Sequence, residues 1–490
     1  MTQYLAVDLG ADSGRVMLAT LEGGKLNLEE MHRFANTPEP RGDSLRWRIE
    51  VLFGEILAGL AKAKAAGARP KSVSCDSWGV DYGLLGADGK LMEPPYIYRD
   101  KRTDGVPEAV YAKVPKSEIF DATGIQFMQL NTLYQLVAAD AEKGAPLRKA
   151  DRFVMIGDLM NHLLSGKGVA ERSLASTSQL FCPRKMDWAW GLIERLGLPR
   201  SVFPQIVDSG TRLGPLLPEV AAKTGLEGVG VIASCSHDTG AAVAAIPAAA
   251  SDDWAYLSCG TWSLMGVELR HPRINADVLA ANFTNEVGFG GTIRFLKNIT
   301  GLWLVQESRR AWEAEGKKFD FKTLEEKAAA AKPFQGFVRT DDRRFGSPGG
   351  MPAKIRDYLK ETGQPAPEDE GSIIRIALES LALTYRETLD RIEALTGRKI
   401  ARLHMVGGGT RDRLLCQLTA DAIERPVLAG PVEATAAGNA LVQAIASGDL
   451  SDLDALRAVV RSSFEIKEYR PVGGKGWAEA RARFAKLEAR

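Results

Sequence analysis

The pair His237-Asp238, set between the apolar run Val231-Ile232-Ala233 and the alanine-rich run 241–246, stands out in a chain with only five histidines. An ionisable pair just past a strand and at the start of a helix lies where open α/β proteins bind ligands, beyond the carboxyl ends of their strands. The same placement suits a structural role, with Asp238 as an N-cap for a helix over 239–246. Both readings stand on these residues alone.

A second group is Asp8-Leu9-Gly10-Ala11-Asp12-Ser13-Gly14-Arg15. Glycines let a backbone approach phosphate oxygens, Ser13 and the amides donate, Arg15 supplies fixed positive charge, and Asp8 at a strand end suits Mg2+ held through water. A polar hairpin tip has the same composition. The chain has no G-x-x-x-x-G-K-[ST] run, which excludes a P-loop mechanism. A third group, "LHMVGGGTRDRLL" at 403–415, leaves side-chain-free space after a strand, where a base or ribose fits against backbone. In "SCDSWGVDYGLL", Asp76, Trp78 and Asp81 precede "YRDKRT" at 98–103. Carboxylates, an indole face and arginines suit a polyol or sugar, and also suit ordinary turns with surface ion pairs. Asn131, Asn298 and Gln306 sit in mostly apolar runs and need partners, which a ligand would supply.

The elements that must position these groups read as α/β. Strand-like runs ("YLAVDLG", "VMLATL") alternate with helical stripes such as 51–66. "PAAASDD" at 247–253 reads as a linker, giving domains 1–247 and 254–490. "LAVDLGADSGRVMLATL" and "AYLSCGTWSLMGVEL" share one plan, a strand, a tight Gly/Ser/Thr turn and a strand. One hairpin opening each half predicts two related domains, each offering turn amides to phosphate oxygens. A long helix is predicted from an N-cap at Ser372 to Gly397, its stripe serving as core, and a last helix packs Trp477, Phe484 and Leu487.

Length and charge narrow the classes. At 490 residues two large domains are expected, and the net charge of +1 gives no sign of a nucleic-acid or membrane surface, so the expected partners are small molecules. Cys75, Cys182, Cys235, Cys259 and Cys416 lack C-x-x-C spacing, which argues for free thiols in a reducing cytoplasm. No signal peptide is readable at the N-terminus, and the run "AAVAAIPAAA" is too short to span a bilayer. Three D-[ST]-G triplets, at Asp12, Asp208 and Asp238, raise an aspartic protease, but that fold is nearly all β, while Asp238 leads into a helix.

The motifs "AVDLGADSGRVML", "DSWGVDYGLL", "YRDKRT", "GIQFMQLNTLYQL", "SHDTGAAV", "LSCGTWSLMGVE", "LAANFTNE", "LKNITGLWLVQ" and "VGGGTRDRLL…GPVEATAAGN" lie in order over nearly the whole chain. Together they resemble the FGGY carbohydrate kinases. The forms "NTLYQL" and "SHDT" are closest to those members acting on L-rhamnulose. The resemblance implies two actin-like/Hsp70-like ATPase (ribonuclease H-like) domains facing a central cleft. It implies ATP-dependent phosphorylation of a ketose with Mg2+, in a cytoplasmic monomer or homodimer. Asp238 would be the general base, and Gly79, His237, Thr239 and Asn298 would contact the ketose. Ala11, Asp12, Ser13, Gly14, Arg15, Thr261, Gln306 and Gly408 would bind ATP, and Asp8 would help hold the metal. The helix start is expected to keep the Asp238 pKa at or below roughly 3.9. L-Fuculose, L-xylulose and a non-catalytic sugar-binding protein are the alternatives. Three positions depart from the family pattern: Asp12 where a small hydroxyl residue is usual, Cys259 for a serine, and Gly240 for an alanine. Asp12 should repel a triphosphate unless Arg15 or Mg2+ offsets it.

Overall fold

The computed structural model describes residues 1–249, 253–474 and 476–488, so residues 250–252 of the expected linker lie outside the described residues. The chain is α/β and forms two compact units. One comprises Met1–Pro247, Glu268–Phe295 and Ala434–Ser463, the other Ala248–Val267, Leu296–Glu433 and Phe464–Arg490.

The first unit is built on β1 (Thr2–Leu9), β2 (Ser13–Glu22), β3 (Lys25–Ala35), β4 (Pro70–Ser77), β5 (Thr211–Pro215) and β6 (Gly230–Ala233), in the order β5-β6-β4-β1-β2-β3. β1, β2 and β3 are antiparallel neighbours, while β1, β4 and β6 run parallel, so three carboxyl ends emerge side by side. Strand alternation separates the faces. Leu5, Val7, Leu9, Val73, Cys75, Val231 and Ala233 join one apolar cluster with Ile56 and Leu60 of the helix Ile49–Ala65 and Leu159 and Leu164 of the helix Ile156–Ser165. On β4 the alternate residues are polar and hydrogen-bonded: Ser72 Oγ donates to Gln443 Oε1 at 2.7 Å, Ser74 to Ser234 at 2.9 Å, and Asn439 Nδ2 to Asp76 Oδ2 at 2.6 Å. Gln443 and Asn439 belong to the helix Ala434–Ala446, which returns from far along the chain to cover this face.

The second unit repeats the strand order. β7 (Trp254–Cys259), β8 (Trp262–Leu269), β9 (Ile293–Thr300), β10 (Arg402–Val406), β11 (Val427–Ala429) and β12 (Lys467–Tyr469) follow β12-β11-β10-β7-β8-β9, with residues 262–267 of β8 and 296–300 of β9 inside the unit. β7 pairs antiparallel with β8 and parallel with β10, as β1 does with β2 and β4. The long helix spans Glu370–Thr396, starting before the expected cap because Asp369 is the N-cap and its side chain accepts the Ser372 amide; Gly397 ends it at φ 73°. Trp477, Phe484 and Leu487 pack on Phe337 and Leu383.

In the first unit, Gly438 decides how closely the helix Ala434–Ala446 meets the helix Asp238–Ala244. A Cβ there would lie 1.9 Å from the Ala241 carbonyl oxygen, which is backbone and cannot rotate aside. Gly438→Ala should therefore destabilise the protein by about 1–3 kcal/mol, the usual overpacking cost, although alanine alone favours a helix by about 1 kcal/mol. Denaturant unfolding checks this; an unchanged or higher midpoint would contradict the close approach.

Candidate active site

Three aspartates converge at the three parallel strand ends. Asp8 and Asp76 are register partners on β1 and β4. Beyond β6 the Ser77 amide donates to the Ser236 carbonyl at 2.8 Å and Ser77 bridges to His237, so the segment carrying Asp238 stays against the end of β4. Arg15, across the β1–β2 hairpin from Asp8, sets Nη2 2.5 Å from Asp8 Oδ2. Asp76 Oδ1 is buried and has no hydrogen-bond partner among the described residues. Burial, then the Asp8 charge, push the Asp76 carboxyl well above the usual range.

Asp238 differs from its expected electrostatics. Burial, then the Asp8 charge, push its carboxyl up to about 7, not at or below the reference value. The helix Asp238–Ala244 is short, and its N-cap is His237, so Asp238 is the first helical residue. Its Oδ1 accepts from the Thr239 amide at 2.5 Å and Thr239 Oγ1 at 3.1 Å, which does not outweigh desolvation and Asp8. The side chain is 28% exposed, so solutes reach it.

His237 is nearly enclosed. Its Nδ1 lies 2.9 Å from Arg294 Nη2 and 3.5 Å from Glu286 Oε2, and its Nε2 lies 3.4 Å from Asp238 Oδ1. Arg294 is fully buried, with Nε and Nη2 each 3.2 Å from the Val287 carbonyl oxygen and Nη2 3.2 Å from Glu286 Oε2. Arg294 and Glu286 carry no signal in the sequence, where they look like ordinary strand positions in "TNEV" and "TIRF".

A buried brace holds the same segment from below. Glu171 accepts from the Ser173 amide at 3.0 Å, Ser173 Oγ at 2.5 Å, the Leu174 amide at 3.2 Å, Ser209 Oγ at 2.5 Å and the Ser236 amide at 3.0 Å. Ser173 Oγ in turn accepts from the His237 amide at 3.2 Å. Gly240 keeps room for this serine, since a Cβ would come within 3.3 Å of Ser173 Cβ. Nearby Asp158 is pushed up to about 8 by burial and then by the Glu171 charge.

Other expected residues fall into place around these groups. The turn at 10–13 closes with the Gly10 amide on the Ser13 carbonyl at 2.9 Å, and Asn36 clamps it through the Asp12 and Gly10 carbonyls. Ala11, Ser13 and Arg15 are half-buried and Asp12 is exposed, while Gly14 leaves no room for a side chain, a Cβ lying 2.4 Å from the Phe34 ring. Gly79 packs on Thr177, and Val80 beside it holds φ 69°, braced by Thr177, Thr132 and Gln135. Asp81 has protein donors for every interaction it makes: Trp47 Nε1 at 2.7 Å, Trp78 Nε1 at 3.0 Å, the Tyr98 amide at 3.1 Å and Gln135 Nε2 at 3.0 Å. It is an internal brace. Asn131 is likewise satisfied, by the Gln126 carbonyl and Gln179.

In the second unit the hairpin turn at Gly260-Thr261 receives the following loop: the Thr261 carbonyl accepts from the Gly301 and Trp303 amides, each at 3.2 Å. The glycine triplet packs on this turn. Cβ atoms on Gly407 and Gly409 would lie 3.0 Å from the Cys259 carbonyl oxygen and 2.2 Å from its Sγ, whereas one on Gly408 would meet nothing. Gly408 borders a cavity of about 810 Å³ together with Gly260, Gln306, Phe321, Glu325 and Arg413. Gln306 Oε1 has no hydrogen-bond partner among the described residues. Glu325 accepts the Arg413 and Leu414 amides at 2.9 and 3.1 Å, so the helix start bordering the cavity is already capped. Asn298 lies half-buried on β9.

The N-terminal domain of the FGGY family of carbohydrate kinases matches residues 3–245 and its C-terminal domain matches residues 255–447. The chain belongs to the FGGY carbohydrate kinases. This kinase is 43% identical over 481 residues, 98% of both chains, to a rhamnulokinase of Bacteroides thetaiotaomicron. It is 40% identical to one of Bacillus subtilis, covering 96% of this chain and 95% of the other. Glycerol kinase of Plasmodium falciparum with ADP has the same fold, with a TM-score of 0.80 at 13% identity, covering 99% of this chain and 97% of that one. Xylulose kinase of Lactobacillus acidophilus, at 15% identity, gives 0.78 over 99% and 96%. The fold is thus the actin-like ATPase fold of sugar kinases.

In this FGGY kinase Glu171 organises the segment leading to Asp238. Glu171→Gln turns one acceptor oxygen into a donor facing donors, and should cost about 1–3 kcal/mol of stability for the stranded group. Chemical denaturation reads the loss; wild-type stability in this variant would refute the brace.

Proposed function

We propose that this kinase transfers the γ-phosphoryl group of ATP to the primary hydroxyl of L-rhamnulose, giving L-rhamnulose 1-phosphate and ADP, with Asp238 as general base. The observation that carries the chemistry is an accessible carboxylate, Asp238, 3.4 Å from His237 Nε2 and close enough to Asp8 for burial and that charge to raise its pKa to about 7. A base that titrates near the working pH suits proton transfer. The full-length rhamnulokinase relatives support the choice of sugar.

In this reading the hydroxyl oxygen forms its bond to the γ-phosphorus as the bond to the β,γ-bridging oxygen breaks, and the hydroxyl proton passes to the Asp238 carboxylate. Gly79, His237, Thr239 and Asn298 orient the ketose. The turn Ala11 to Arg15, with Thr261, Gln306 and Gly408, holds the nucleotide. The cavity beside Gly408 has apolar walls from Leu302, Val305 and Phe321 and an unpartnered Gln306 oxygen, which suit a base with an exocyclic amine. Among the described residues no three His, Cys, Asp or Glu side chains group closely enough to enclose a cation. Magnesium would therefore be held by Asp8 and the unpartnered buried Asp76 oxygen, with water and phosphates completing its shell. When bound it neutralises charge on the phosphates. Buried free thiols at all five cysteines support a reducing, cytoplasmic setting, and among the described residues no helix is long and apolar enough to cross a membrane.

Mg·ATP-dependent ADP formation across L-rhamnulose, L-fuculose, L-xylulose, D-xylulose, L-ribulose and glycerol tests the substrate. The highest kcat/KM is expected for L-rhamnulose; another leading sugar would displace that assignment, and no ADP with any would favour a sugar-binding protein. Asp238→Asn should keep sugar and ATP binding while kcat falls about 10²–10⁴-fold. Near-normal turnover would remove Asp238 from the role.

A further inference from the structure

We propose that Arg294 is a positioning residue that fixes His237 in its Nε2–H form, so that a single, oriented N–H donor points from His237 toward Asp238. The inference rests on the kinase reading for its catalytic consequence, but its structural content stands without it.

An imidazole nitrogen facing another nitrogen at hydrogen-bond distance needs one donor and one acceptor. Arg294 Nη2 lies 2.9 Å from His237 Nδ1, and a guanidinium only donates. His237 Nδ1 must therefore accept, which leaves its proton on Nε2 when the ring is neutral. The competing contact is Glu286 Oε2, 3.5 Å from Nδ1, which would favour the opposite tautomer. It is the weaker claim. The separation exceeds ordinary hydrogen-bond length, and the same oxygen lies 3.2 Å from Arg294 Nη2. The Val287 carbonyl, 3.2 Å from both Nε and Nη2, holds the plane of the guanidinium, and full burial denies it other orientations. Burial and the Arg294 charge also press the His237 pKa well below the usual value, so the ring stays neutral.

The consequence lies at the opposite edge of the ring. Nε2 is 3.4 Å from Asp238 Oδ1, longer than a formed hydrogen bond, and such contacts commonly tighten when substrate enters. An Nε2–H there steadies the carboxylate or holds a ketose oxygen beside it without adding a positive charge that would weaken the base. The other tautomer would turn a bare lone pair toward a carboxylate and repel it.

Histidine-selective nitrogen-15 labelling of the full chain reads the tautomer directly, with the His237 signals assigned by their loss in His237→Gln. The expected wild-type result at pH 8 is a protonated Nε2 and a bare Nδ1; an Nδ1–H ring overturns the proposal whatever the enzyme's substrate, even if no Arg294 variant folds. In Arg294→Met, His237 should shift toward Nδ1–H, and kcat should fall about 10–100-fold, the scale of losing an orienting partner behind a histidine, with KM for Mg·ATP unchanged. In a His237→Gln background the same change should cost no further kcat. A separate, additive loss there would assign Arg294 a merely structural role.

Discussion

Like charges brought together in a poorly solvated place dominate this molecule. Parallel pairing of β1 with β4, and of β4 with β6, puts Asp8 beside Asp76 and delivers Asp238 just past the neighbouring strand end. Burial raises the pKa of Asp76 and of Asp238, and the Asp8 charge raises both further. The surrounding structure is organised to tolerate this. Arg15 pairs with Asp8, Asn439 donates to Asp76, and Glu171 with Ser173 holds the backbone of the segment that carries Asp238. Burial, and after it the Asp8 charge, moves Asp238 into the range where it can exchange a proton near neutrality.

The same constraint explains why β4 is polar on one face. A wholly apolar face would leave Asp76 with no donor, at a cost of several kcal/mol for an uncompensated buried carboxylate. Ser72, Ser74 and Asp76 instead meet Gln443 and Asn439 of the helix Ala434–Ala446, whose Gly438 lies close against the Ala241 backbone of the helix Asp238–Ala244. Packing and electrostatics here are one problem. The helix that satisfies Asp76 is the helix whose glycine admits the start of the Asp238 helix.

Much of this was legible in the amino-acid order. The paired hairpins, the α/β alternation and the long helix follow from apolar periodicity and from Gly/Ser turns, which are local signals. The glycines at 407–409 were legible as side-chain-free space, and the structure divides their work between packing on Cys259 and opening to a cavity. What escaped were buried polar partners drawn from distant segments. Arg294, Glu171 and Asn439 carry no local pattern, because a strand or helix position that hydrogen-bonds inward reads like one that faces water. The Asp238 pKa is not legible for the same reason: the helix start is visible in sequence, but the enclosing surface and Asp8 are tertiary. Asp81 shows the converse, a carboxylate amid aromatics and arginines that proves to be a satisfied brace.

The central claim is that Asp238 is poised near neutrality by burial and by Asp8. The direct measurement is a carbon-13 titration of the aspartate carboxyls in the full chain, free of nucleotide and metal, with the Asp238 signal assigned by its loss in Asp238→Asn. The account predicts a midpoint of about 7, and a lower one in Asp8→Asn, where the neighbouring negative charge is gone. A wild-type midpoint near the ordinary value of about 3.9, unmoved by Asp8→Asn, would contradict it.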